Sequence, residues 1–169
     1  MANTCYNYLT LSESHSDRIL LHVLNDDGVV DYNLLVPIPD DVTALTNPLT
    51  EEPYKGERDW GWNNVGAPGI AHDTEIEELD DGSTYVSFES EWTPPNLWFN
   101  ALCNTCAPLD DNDKSPMNIE LEYAEYDTEF AGKLNYVKEP TDGNHSISVK
   151  YAGEDLRDAL GLPELTKSL

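Results

Sequence analysis

A chain of 169 residues with 33 acidic and only 9 basic residues carries a formal net charge of −24, which argues against nucleic acid or a membrane surface as a direct partner and for a basic protein surface. Hydrophobic residues make up 39%, and 9 Tyr, 4 Trp and 3 Phe supply bulky material for one core, so disorder of the whole chain is excluded and a single domain is expected.

The start, MANTCYNYLT, is polar and does not read as a signal peptide, and no apolar run approaches the ~20 residues of a membrane span. Three cysteines, an odd count in a chain that reads as intracellular, are expected to be reduced thiols. The partial alternation of Tyr6 to Leu11 predicts a first strand. In SHSDRILLHVLNDDG, Ser14 or Ser16 serves as a cap, Ile19, Leu20, Val23 and Leu24 form a stripe, and Gly28 is a stop. This predicts an amphipathic helix. Val29 to Ile38 reads as a short extended piece, and Pro39-Asp40-Asp41 opens a short helix or turn that Pro48 ends. Residues 50–70, with Pro53, Gly56, Gly61, Gly66, Pro68 and Gly69, read as a long irregular loop pinned by Trp60 and Trp62.

His72 to Leu79 and Ser83 to Trp92 read as two strands joined through Asp81-Gly82, a hairpin signal, with Pro94-Pro95 as the break. Asn96 to Cys106 suits a helix with Pro95 near its start and Leu97, Trp98, Ala101, Leu102 and Thr105 on one face. Met117 to Tyr123 alternates Ile119, Leu121 and Tyr123 against Asn118, Glu120 and Glu122. Phe130 to Val137 and Ser146 to Tyr151 are further strands, and Gly153 to Leu160 a short helix. The order strand, helix, strand, strand, helix, strand is the split βαβ pattern. It predicts an α+β, ferredoxin-like fold in which two helices cover one face of an antiparallel sheet. Residues 1–137 are expected to form that domain, with an irregular insertion at about 40–70. Residues 138–169 are expected to form a C-terminal strand and helix extension.

Asn3, Cys5, Asn7 and Leu9 in ANTCYNYLTLS, VPIP at Val36 to Pro39, Trp60-Gly61-Trp62, FESEWTPP at Phe88 to Pro95, and Tyr123, Glu125, Phe130 and Gly132 form a spaced set over roughly residues 1–135. On these residues and their spacing the chain resembles an uncharacterised ferredoxin-like family found mostly in phages and conjugative plasmids. The chain departs from the family at Thr4 (usually Trp), at Asn63-Asn64 (usually Thr-Lys) and at Glu91 (usually a small residue). The resemblance implies the fold and a mobile-element origin, and no activity.

Candidate chemistry is sparse. Cys103-Asn104-Thr105-Cys106 falls at the C-terminal end of its predicted helix, where the dipole raises a thiol pKa instead of activating it. The only other sulfur is Cys5, and the four His are scattered, so packing is the favoured role. Asp110-Asp111-Asn112-Asp113 lacks the spacing of a calcium loop and reads as a solvated turn. No nucleotide-binding glycine loop occurs, and Glu89, Glu91, Glu120 and Glu125 have no partner at a catalytic spacing. The expectation is a protein that is not an enzyme and needs no cofactor or metal. The four Trp are expected to fill the core and seat the loop.

The charge carries the functional expectation. His72 to Trp92 holds eight carboxylates and no Lys or Arg. Alternate residues of a strand share a face ~6.6 Å apart, close to the separation of successive phosphates along a nucleic-acid strand. Glu75 with Glu77, Glu89 with Glu91, and Glu120 with Glu122 then line one open face, with Asp80, Asp81, Asp127 and Glu129 at the rim. The residues expected to bind a partner are Asp73, Glu75, Glu77, Glu78, Asp80, Asp81, Glu89, Glu91, Glu120 and Glu122, acting collectively. The expected function is that of an acidic phage or plasmid accessory protein in the host cytoplasm, monomeric or homodimeric. It would bind a basic, nucleic-acid-binding host protein as a nucleic-acid mimic and inhibit a defence nuclease, as anti-CRISPR or anti-restriction proteins do. The alternatives are a protein-interaction or virion-associated role without mimicry, solubility or salt adaptation, and more distantly a metal-dependent enzyme.

Overall fold

The structure, a computed structural model, describes residues 3–107, 115–127, 130–138 and 145–151. Six strands, β1 (Thr4–Leu11), β2 (His72–Glu78), β3 (Thr84–Glu91), β4 (Met117–Glu125), β5 (Phe130–Lys138) and β6 (His145–Tyr151), form one sheet in the order β2-β3-β1-β4-β5-β6. Every neighbouring pair is antiparallel. Among the described residues, three α-helices, α1 (Ser16–Leu20), α2 (Glu57–Asn64) and α3 (Asn96–Cys106), complete an α+β architecture. None is long and apolar enough to cross a membrane.

The sheet segregates its faces because the strands alternate. Leu9 of β1 pairs with Val86 and with Leu121, and Leu121 pairs with Leu134, so one apolar row crosses four strands. All four side chains are buried. Helix α3 packs on this side: Trp98, wholly buried, stands edge-on to Phe88 at 5.9 Å, with Tyr32 at 5.5 Å. Burying aromatic area of this kind supplies much of the stability of a small core. Gly132 faces Tyr123 across β4 and β5, and a Cβ there would overlap the Tyr123 phenol. Gly132→Ala should therefore cost about 1–3 kcal/mol, read as a lower urea midpoint.

Four sequence expectations need correction. The helix expected through SHSDRILLHVLNDDG stops at Leu20, after five residues. The Asn25 side chain accepts from the amides of Asp27 and Val29, and this local turn brings Leu24 to bridge Val30. Such side-chain bonding competes with helix continuation. The stripe is still inward, with Ile19 and Val23 wholly buried. Second, Val29 to Ile38 is not extended: its only regular element is a 3-10 turn at Tyr32–Leu34, held by the Asp31 carboxylate, which accepts from the Asn33 amide.

Third, the segment expected as a loop contains α2, whose first turn is fixed by Asp59 accepting from the Lys55 amide. Trp60 is buried in the core, but Trp62 is 42% exposed and is not part of the buried cluster. Fourth, the inward face of α3 is Trp98, Phe99, Leu102, Cys103 and Cys106, with Leu97 outward, one position on from the stripe expected. The carbonyl of Val65 accepts from the amides of Leu97 and Trp98, and this anchor sets the rotation of the helix. The expected helix at Gly153 to Leu160, the polar turn at Asp110 to Asp113 and the rim residue Glu129 lie outside the described residues.

Candidate functional site: an acidic sheet face bearing tyrosines

With the described helices on the Phe88 side, the other face of the sheet carries three cross-strand rows. Glu77, Tyr85, Thr10, Glu120 and Asn135 form the first, and Glu75, Ser87, Tyr8, Glu122 and Lys133 the second. His72, Glu89, Tyr6 and Ala124 form the third. Carboxylates therefore flank a central band of tyrosines. Tyr8 stacks on Tyr85 at 5.8 Å, and Tyr6 meets Tyr126 edge-on at 5.2 Å. The register of β2 against β3 shifts between His72 and Glu75, where Asp73 takes a left-handed φ of 48°. Beside this bulge lies a depression of about 230 Å³, lined in part by Tyr6, Tyr8, Asp73, Glu75 and Glu89.

The ten acidic residues singled out from the sequence separate into distinct environments. Glu75, Glu77 and Glu89 stand on this face with Asp73 at its edge, and among the described residues no ion pair engages any of the four. Glu120 and Glu122 share the face, but Lys133 binds both, at 2.8 and 2.7 Å. Glu91 is held by Arg58 at 2.6 Å. The hairpin has no Lys or Arg of its own, and a cation from α2, far away in sequence, reaches its Glu91. Glu78 points to the opposite side of β2 from Glu75 and Glu77 by alternation. Asp80 is exposed in the turn. Asp81 closes that turn. The Ser83 hydroxyl and then its amide donate to Asp81 and hold the carboxyl below the usual carboxylate range.

Sequence reasoning missed the tyrosines and Lys133. Partial alternation sets Tyr6 and Tyr8 on a strand without showing that their side is the open face, and only the register of β4 on β5 reveals Lys133 opposite Glu122. Burial, with Tyr8, Glu122 and Glu77 adding repulsion, pushes the Tyr85 phenol up to about 12. Tyr8 is raised too, by burial and then by Tyr126, and Tyr6 by burial and then by Glu89. At neutral pH the band thus consists of neutral hydroxyls between anions.

Lys133 limits the charge of the face. Lys133→Met should cost about 1 kcal/mol of stability, because two carboxylates 13 and 11 residues earlier in sequence lose their shared cation. It should also tighten binding to any basic partner several-fold at low salt, which calorimetric titration would read.

The three cysteines are buried thiols in the core. Burial pushes Cys5 up to about 12 and Cys106 to about 11, and raises Cys103 as well. Cys103 and Cys106 lie in the last turn of α3, facing inward. Groups whose protonated form is favoured in the fold contribute stability that is complete below their unfolded values, 9.0 for thiols and 10.0 for phenols. That stability is lost as pH rises towards 11–12. The melting temperature should hold steady to pH 8.5 and fall progressively above about 9. No thiol should react with a disulfide reagent at pH 8 until urea unfolds the chain.

Among the described residues, no group of three His, Cys, Asp or Glu side chains is placed to hold a metal ion. Comparison with family models, curated proteins and solved structures gives no match to this chain.

Proposed function

We propose that this is a ferredoxin-like accessory protein of a phage or plasmid that binds a basic protein through its open sheet face. The partner surface is one that otherwise holds nucleic acid, such as the cleft of a host defence nuclease. The observation that carries this reading is the set of carboxylates Asp73, Glu75, Glu77 and Glu89, which no ion pair engages among the described residues, beside a band of neutral tyrosines, on a chain of net charge −24. The order of the four strands β2-β3-β1-β4 supports the ferredoxin-like assignment, since it is the order a split βαβ unit produces. Arginine fits such a face doubly: its guanidinium pairs with carboxylates and stacks on aromatic rings. A dense anionic row also steers a basic cleft into contact.

The test is a tagged pull-down from nuclease-treated host lysate, eluted by a salt gradient and then challenged with duplex DNA. A basic nucleic-acid-binding protein displaced by DNA supports the reading. A partner indifferent to DNA moves the role to protein interaction without mimicry, virion association included. No salt-eluted partner defeats the reading and leaves the acidity as a solubility device.

A further inference from the structure

Strand β2 lies at one end of the sheet order, and its outer side pairs with no described strand. We propose that this edge accepts an extended basic segment of the partner as an added strand, a mode that rests on the basic-partner reading above and specifies how contact is made. The Leu79 amide donates to the Ser83 carbonyl at 2.8 Å. Hydrogen-bonded pairs alternate along an antiparallel ladder, so Glu77 and Glu75 turn their backbone groups to β3, while Ile76 and Glu78 turn theirs outward. At the other end of the strand, Thr74 is engaged by the Val30 amide through its hydroxyl, which marks where the open edge begins. The usable edge is Glu75 to Glu78.

The side chains of this edge specify the occupant. Ile76 sits on the core side yet is 48% exposed, although its partner Val86 is wholly buried. An added strand would cover it with an apolar residue. Glu75 and Glu77 stand on the other side and would meet Lys or Arg at the alternate positions of that strand. A second copy of β2 would instead set Glu75 and Glu77 of each chain against their counterparts, and like charges directly opposite are destabilising. The edge thus refuses its own copy and admits an alternating apolar–basic segment, by strand addition of a known physical kind.

The experiment uses the full-length protein and two synthetic peptides. One alternates Lys and Val over about seven residues, and the other has the same sequence N-methylated at alternate residues, on the side that would face β2. Amide exchange is followed by NMR. The proposal expects the first peptide to slow exchange at Ile76 and Glu78 at least tenfold, and the methylated one to leave both unchanged and bind at least fivefold more weakly. Equal binding by both peptides with no slowing overturns the edge and leaves the acidic-face reading intact. Binding by neither peptide also overturns the edge, and the acidic-face reading is then decided separately by the nuclease-treated pull-down. As a second variant, Ile76→Pro removes one outward donor at a sheet edge, where proline is tolerated. It should abolish the slowing at Glu78, and retention of full peptide affinity in the variant would equally overturn the proposal.

Discussion

A variant carrying Glu75→Lys, Glu77→Lys and Glu89→Lys is expected to lose partner binding by at least about a hundredfold at low salt while keeping its melting temperature. The two halves of this expectation have one cause. Among the described residues no ion pair engages the three carboxylates, which share one face, so replacing them breaks none of the ion pairs there. The substitutions move the net charge from −24 to −18, that is −24 + 6, which relieves self-repulsion. Binding lost together with stability would point to misfolding. Binding retained at both low and high salt would sink the acidic-face reading. Single substitutions should each weaken binding only modestly, because the field is shared among several groups.

Trp98→Ala is expected to have the largest effect on folding. Trp98 is wholly buried and touches both Phe88 of β3 and Tyr32 of the segment before α2. Truncating such a residue costs about 3–5 kcal/mol, a large share of the roughly 5–15 kcal/mol that holds a typical domain together. Urea denaturation should show either a strongly lowered midpoint or no folded baseline. A shift below about 1 kcal/mol would mean that α3 does not organise this core.

The strands were legible because alternation is local. The expected His72 to Leu79, Asn96 to Cys106 and Met117 to Tyr123 differ from the observed elements by two residues at most. The same alternation put Glu75, Glu77 and Glu89 on one face. What the sequence concealed were long-range partnerships. Nothing near Glu91 announces Arg58, and nothing near Glu120 announces Lys133, because each cation comes from another element. Helix α2 is hidden by Gly61 within it and by Gly56 and Gly66 on either side, and the stripe of α1 continues inward beyond the point where Asn25 turns the chain. The rotation of α3 depends on a carbonyl 32 residues before Leu97, at Val65.

That carbonyl decides how far the molecule can be reduced. Residues 40–70 read as an appendage to a minimal six-element domain, yet Val42, Tyr54, Trp60 and Val65 all belong to the same buried cluster as Trp98. Excising the segment would unseat the first turn of α3 and expose the aromatic centre together. A truncated, smaller version for biotechnological use cannot therefore be obtained by trimming this loop. It would need a new helix cap and replacement hydrophobic cover, designed as a unit.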